Sequence, residues 1–386
     1  MDRRFKKIIP FIREVFDSSE VIPLHAPVFI GKEKEFLSSC IDTTYVSYLG
    51  EYVTCFEQEV VRFTGTKYAV ATVNGTCALQ IALQVCGVKP DDEVLTQALT
   101  FVATANAISH AGANPVFIDS EKQTLGMSPE KLEEFLTENT YNDNYGYRIN
   151  IKTGKRISAC VPVHIFGHPV RVDKIVEICK KHNIVLVEDA AESLGSYFKG
   201  IHTGLFGKTA ILSFNGNKII TTGGGGMILT NDVTLAQKAR HLTTTAKIPH
   251  PFEFYHDEVG FNYRMTNITA ALGLAQMENI LLFLRNKRKL AKIYSDFFND
   301  LEIPFITEPP DARSNYWLNT ILLNNRDERD NFLNYSHQNK VMCRPAWILM
   351  SDLPMYRSCT ATNLEIAGYL QDRLVNIPSS VRAASL

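Results

Sequence analysis

Lys218 lies between two short apolar runs, Ala210-Ile211-Leu212 and Met227-Ile228-Leu229, and is followed by four consecutive glycines, Gly223 to Gly226. Both runs have the length and composition of buried strands. An unpaired ammonium is costly to bury, so such a lysine is neutralised, paired, used covalently or led out to solvent. Its covalent chemistry is imine formation with a carbonyl, and glycines beside it leave room for a ligand against bare backbone.

Two other stretches and two single residues carry chemical potential, each beside an ordinary reading. Asn74-Gly75-Thr76 follows the apolar run Tyr68 to Val73 and precedes a helical pattern. It is either a plain helix cap or a phosphate seat, because a helix start offers unpaired N–H groups and a positive dipole end. Glu188-Asp189-Ala190-Ala191-Glu192 closes the run Ile184 to Val187. Its carboxylates either cap a helix or point into the crevice at the carboxyl end of a parallel sheet. Phe101 and His164 stand at similar boundaries, where core packing competes with covering or contacting a ligand. A lysine, a strand-end carboxylate, a phosphate-ready helix start and an aromatic plate are together what a pyridoxal phosphate site requires.

These groups need a scaffold, and the chain supplies a regular one. From Tyr68 to Val187 strand-like and helix-like segments alternate: strands at 68–73, 93–96, 115–118, 158–165 and 184–187, helices at 77–86, 101–111, 129–136 and 172–182. That rhythm predicts an α/β fold with a mostly parallel sheet covered on both faces. Residues 139–155 form a polar insertion, read as a surface loop or hairpin. An amphipathic helix is expected over 3–16 and a helix from 266 to 283 continuing through 300. Strands are expected at 303–307 and 318–323 and a helix at 326–339. The boundaries expected are an N-terminal helix and arm at 1–30, a large domain at 31–270 and a smaller α+β domain at 271–386.

Bulk properties narrow the class. The chain has 386 residues, 45% hydrophobic and 21% charged, with a formal charge of −1. That balance gives no electrostatic case for nucleic acid or an anionic membrane. Eight cysteines include no C-x-x-C pair, so neither a metal nor a disulfide framework is expected. No stretch reaches the length of a membrane span, and the expected location is cytoplasmic. No G-x-G-x-x-G follows the first strand, which disfavours a dinucleotide-binding or P-loop enzyme.

At motif level the chain resembles the DegT/DnrJ/StrS aminotransferases, sugar-modifying members of the fold-type-I pyridoxal phosphate enzymes. The resemblance is carried by Asn74-Gly75-Thr76, Thr100 to Ala107, Val163-His164-Ile165-Phe166-Gly167, Glu188 to Glu192, Ser213-Phe214 with Lys218, and Gly260 to Thr266. The arm Ile22 to Pro27, the stretch Thr43 to Ser47 and Arg344-Pro345-Ala346-Trp347 are similar to the LegC-like branch. The resemblance implies a large domain with a mostly parallel central sheet between helices, a smaller C-terminal domain, and pyridoxal 5'-phosphate as cofactor. It makes Lys218 the Schiff-base lysine and proton shuttle, with Asp189 on the pyridinium nitrogen, Glu192 near the ring hydroxyl and Phe101 stacked on the ring. Gly75, Thr76 and Ser213 would bind phosphate, and Asn262 would reach the cofactor of the neighbouring subunit in a homodimer with shared active sites. Tyr316, Arg344, Trp347 and the loop around His250 to His256 are candidate sugar contacts, with packing or surface roles as the alternative.

The implied reaction moves nitrogen from glutamate to C4 of a nucleotide-linked 4-keto-6-deoxy sugar, with a UDP-linked 2-acetamido sugar expected. A perosamine-synthase-like enzyme acting on a GDP sugar is the close alternative. A pyridoxamine phosphate-dependent sugar dehydratase would carry histidine in place of Lys218, and a non-catalytic cofactor-binding protein is the rival from another class. One residue departs from the family pattern: Gly224 stands where an acidic residue is usual.

Overall fold

In the computed structural model, which describes residues 3–382, the alternation closes into a nine-stranded sheet. The helices that begin the chain are α1 (Phe5–Phe16), α2 (Glu33–Asp42) and α3 (Glu51–Thr64). The strands of the main path are β1 (Tyr68–Thr72), β2 (Glu93–Gln97), β3 (Asn114–Ile118), β4 (Arg156–Val161), β5 (Val185–Asp189), β6 (Thr209–Ser213) and β7 (Gly226–Thr230). Their order in space is β1-β7-β6-β5-β4-β2-β3. From β6 to β3 every neighbouring pair is parallel, whereas β7 runs antiparallel to both β6 and β1. The loop from β6 to β7 contains no helix, so it returns the chain as a hairpin rather than as a crossover.

Residues 139–155 turn out to be a hairpin whose second strand, Arg148–Asn150, pairs with β4 and widens the sheet. Between the strands lie α4 (Gly75–Val85), α5 (Val102–His110), α6 (Pro129–Glu138) and α7 (Val172–Lys181). Local chemistry sets their starts. Asn74 accepts the Cys77 N–H at 2.8 Å, and Ser128 caps α6 with Pro129 in the first turn. One face of the sheet packs on Leu79, Ile81 and Leu83 of α4, and the other, which includes Met227 of β7, on Phe56 of α3 and Phe214.

After α8 (Val233–Thr243) the expected long helix divides into α9 (Asn267–Met277) and α10 (Ile280–Asp300), bent by 60° at Glu278–Asn279. Among the described residues no single helix is long and apolar enough to cross a membrane. The expected strand at 303–307 is reduced to one bridge, Phe305 to Ile321, since Pro304 brings no N–H to a ladder. A second sheet forms from Asn319–Leu322, Leu374–Ile377 and Arg344–Pro345. Helix α1 joins the core behind it: Phe5, Ile8, Ile9 and Ile12 are buried against Leu290, Tyr294, Phe298, Phe332, Val375 and Ile377.

Candidate active site

The loop that carries Lys218 is pinned at its base, where Phe214 N–H donates to Gly225 O at 2.9 Å and Thr222 N–H to Phe214 O at 2.9 Å. Lys218 is thereby turned inward. Its side chain is 13% exposed, with Nζ 3.7 Å from Glu192 Oε1 and 3.8 Å from the centroid of the Trp317 ring. Burial pushes the ammonium below the ordinary lysine range, against the charges of Glu192 and Asp189.

Asp189 is the last residue of β5, which puts its carboxylate at the carboxyl edge of the parallel strands. Thr104 Oγ1 donates to Asp189 Oδ2 at 2.8 Å, and Ala191 N–H donates to Oδ1 at 3.1 Å. Burial raises this carboxyl above its usual range, opposed by those hydrogen bonds and by Lys218. Glu192 Oε2 accepts the Phe166 N–H at 2.7 Å, and burial pushes its carboxyl up to about 7 in spite of Lys218.

Gly75 and Thr76 open α4, where helix geometry leaves their N–H groups without intrahelical acceptors. A Cβ at Gly75 would lie 3.0 Å from Ser213 Cβ, so only glycine lets β6 press Ser213 this close to the helix start. A Cβ at Gly226 would lie 2.4 Å from the Asn74 carbonyl, so this glycine seats β7 against the same turn. Gly224 is different: a Cβ there would find Val73 O at 3.9 Å as its nearest neighbour. Nothing in the packing excludes the acidic residue that is usual at this position.

All these groups surround one cavity of about 630 Å³. Asp189, Glu192, Lys218, Gly75, Thr76 and Ser213 line its floor, and Phe101, Arg344 and Trp347 its mouth. The Phe101 ring is 52% exposed and lies 6.3 Å from Trp347 at 58°. Two expected residues lie elsewhere. Tyr316 is buried away from the cavity, its hydroxyl accepting the Glu308 N–H at 3.0 Å and its ring edge-on to His168 at 5.3 Å. Asn262 is exposed and bridges Thr244. The loop at 250–256 is also outside, with Phe252 90% and Phe254 81% exposed.

Sequence reasoning missed Thr104, Trp317 and Asn315. Thr104 is one helical turn from Thr100, whose Oγ1 lies 3.3 Å away, and that spacing was a usable signal. Asn315 and Trp317 carried none, because their roles depend on a loop meeting a distant strand end. Remote from the cavity, His241, Asp257 and Glu258 cluster closely enough to hold a cation, but Lys238 already pairs with Glu258.

A helix start with free N–H groups, a buried carboxylate able to take a cationic N–H, and a desolvated lysine match a phosphate, a protonated ring nitrogen and a carbonyl carbon. Those are the three handles of pyridoxal phosphate, and the cavity has room for them. Fold and site together define a fold-type-I pyridoxal phosphate enzyme. Residues 30–385 match the model of the DegT/DnrJ/EryC1/StrS aminotransferase family, and the chain belongs to that family. It is an aminotransferase, and pyridoxal 5'-phosphate is its cofactor.

Its relatives include the GDP-perosamine synthase of Escherichia coli O157:H7, 37% identical over 358 residues and covering 93% of each chain. The GDP-perosamine synthase of Caulobacter vibrioides is 35% identical over 363 residues, again covering 93% of each. Among solved structures, a DegT DnrJ EryC1 StrS aminotransferase from Brucella abortus superposes with a TM-score of 0.81 at 25% identity, covering 90% of each chain.

Proposed function

We propose that this chain moves the amino group of glutamate to C4 of a nucleotide-linked 4-keto-6-deoxy sugar, with a GDP-linked sugar as the favoured substrate. The observation that carries the proposal is the meeting of Lys218, Asp189 and the α4 start in one cavity whose mouth bears a cation, Arg344, and an aromatic face, Trp347. The names of the full-length relatives favour GDP over the UDP-linked 2-acetamido sugar expected from motif resemblance. That order reverses the first expectation.

Pyridoxal phosphate, when bound, supplies the electron sink that lets nitrogen pass between amino acid and ketone. The chain's own residues do the rest. Gly75, Thr76 and Ser213 would hold the phosphate end, and Asp189 would keep the ring nitrogen protonated. Phe101, which lines the same cavity, would cover the ring, and Glu192 would be the carboxyl available to its hydroxyl. Lys218 moves the proton: its lowered affinity puts Nζ nearer the state of a general base at neutral pH. Glutamate leaves as 2-oxoglutarate in a first half-reaction, and the ketosugar receives the nitrogen in a second. A dehydratase reading is disfavoured because lysine, not histidine, occupies position 218.

The proposal includes a homodimer with shared sites, acting in the cytoplasm. The dimer reading is supported by exposed apolar residues, Tyr45 at 62%, Leu49 at 73% and Phe252, and by Asn262 being exposed and outside the lining of its own cavity. The test is a panel of GDP- and UDP-linked 4-ketosugars with glutamate, following 2-oxoglutarate and identifying products by NMR. Turnover with a GDP sugar is expected, and no 2-oxoglutarate from any member of the panel would sink the proposal.

A further inference from the structure

Between half-reactions Lys218 carries no bond to the cofactor and has to rest somewhere close enough to return. Glu192 is an incomplete resting place, since 3.7 Å is too long for a direct hydrogen bond. Nζ also lies over the face of the Trp317 ring, 3.8 Å from its centroid. A buried indole face attracts a cation electrostatically and excludes the water that would otherwise solvate it.

That residue is held both at its ring and at its backbone. Trp317 is 4% exposed, and its Nε1–H donates to Asn217 O at 2.6 Å, the residue immediately before the lysine. Trp317 N–H donates to Asn315 Oδ1 at 2.7 Å. Asn315 Nδ2 in turn donates to Glu192 O at 2.8 Å and Leu194 O at 2.9 Å. Gly167, at φ +97, leaves the space for Asn315, since a Cβ there would lie 1.9 Å from Asn315 Oδ1. One loop therefore registers the indole against both the lysine loop and the carboxylate strand end. The charged and titratable groups that face Lys218 are Glu192 and Asp189 from the strand side and His25 from the N-terminal arm.

We propose that Trp317 is a positioning residue for Lys218, its ring face being the seat on which the ammonium rests whenever the lysine is free of cofactor. The inference rests on the reading of Lys218 as the reacting lysine. A seat of this kind favours the charged form of Lys218, so weakening it makes the amine more reactive at a given pH.

The experiment uses cofactor-free protein and competitive acetylation with acetic anhydride across pH 6–10, reading Lys218 by peptide mass spectrometry. Biosynthetic fluorinated tryptophans drain the ring face without changing its shape, and the chain has two tryptophans. A Trp347→Phe background confines the label to Trp317. Lys218 acetylation near pH 7 should rise stepwise with fluorine number, and by roughly three- to tenfold in Trp317→Leu. Trp317→Phe keeps a weaker ring face and loses the Nε1–H bond to Asn217 O, so it should fall between wild type and Trp317→Leu. In the holoenzyme, Trp317→Leu should lower kcat while leaving KM for glutamate unmoved. Labelling that is flat across the fluorine series overturns the proposal, and needs no variant to fold unusually. Full activity in Lys218→Ala would instead overturn the underlying reading, so the two failures are distinct.

Discussion

Thr104 Oγ1 donates to Asp189 Oδ2 at 2.8 Å, which ties the first turn of α5 to the end of β5. The hydroxyl fixes one carboxylate oxygen and the Ala191 N–H the other, and each oxygen keeps a lone pair free for a further donor. Thr104→Val should weaken pyridoxal phosphate binding about tenfold, the effect of one lost hydrogen bond on a charged group. Asp189→Asn should lower kcat by roughly 10²–10³. Fluorescence titration with cofactor and steady-state assays check both, and unaltered binding in Thr104→Val would remove the hydroxyl from the site's working parts.

Glu192 gives a pH signature in the cofactor-free protein. Its carboxyl is pushed up to about 7 in the fold from an ordinary 4.5. Between those values the native state keeps a proton that the unfolded chain has lost, so this group's contribution to stability falls as pH rises. Glu192→Gln does not titrate. Its stability relative to wild type should therefore climb from pH 4.5 to 7, by on the order of 1–3 kcal/mol, and then level off. Urea unfolding at half-unit pH steps measures the difference, and a flat difference contradicts the assignment.

The glycines after Lys218 should respond unequally. Gly226→Ala drives a methyl into the Asn74 carbonyl and should cost about 1–3 kcal/mol. Gly224→Glu points into open space and should change stability by less than about 0.5 kcal/mol. It places a carboxylate at the cavity wall, so KM for the nucleotide sugar should move while the cofactor spectrum does not. Thermal melts and kinetics on the two variants separate the predictions.

Leu49 and Phe252 are 73% and 90% exposed. If a second copy covers them, Leu49→Asp combined with Phe252→Asp should yield an inactive monomer that keeps wild-type secondary structure. Sedimentation velocity with circular dichroism tests this, and an active monomer would argue against shared sites.

The alternating strands and helices from Tyr68 to Asp189 were legible because hydrophobic period changes at each boundary. So were Lys218 and Asp189, since a charge at the end of an apolar run is conspicuous. Direction was less so: the sequence does not display that β7 runs against its neighbours, and only the helix-free loop before it implies a hairpin. The burial of α1 was hidden because its partners, Phe332 and Ile377, are more than 300 residues away. Tyr316 and Trp317 show the limit at one-residue scale. Tyr316 takes a left-handed backbone conformation, φ +49, just before the strand that starts at Asn319, and a turn of that kind in a non-glycine residue leaves no mark in the sequence pattern. The structure turns Trp317 to the lysine and Tyr316 to Glu308 and His168.

Helix α1 and the strand Leu374–Ile377 share one core although they lie near opposite ends of the described chain. On the ribosome the helix therefore emerges long before its partners exist. At about 5–20 residues per second the wait is roughly 20–70 s. Until α10 and Phe332 follow, Phe5, Ile8 and Ile12 lack these partners, and until Val375 and Ile377 follow the cover stays incomplete, while the nine-stranded sheet can already assemble. A nascent chain stalled before residue 280 should accordingly present the assembled sheet with a sticky helix α1, the type of substrate that chaperones hold.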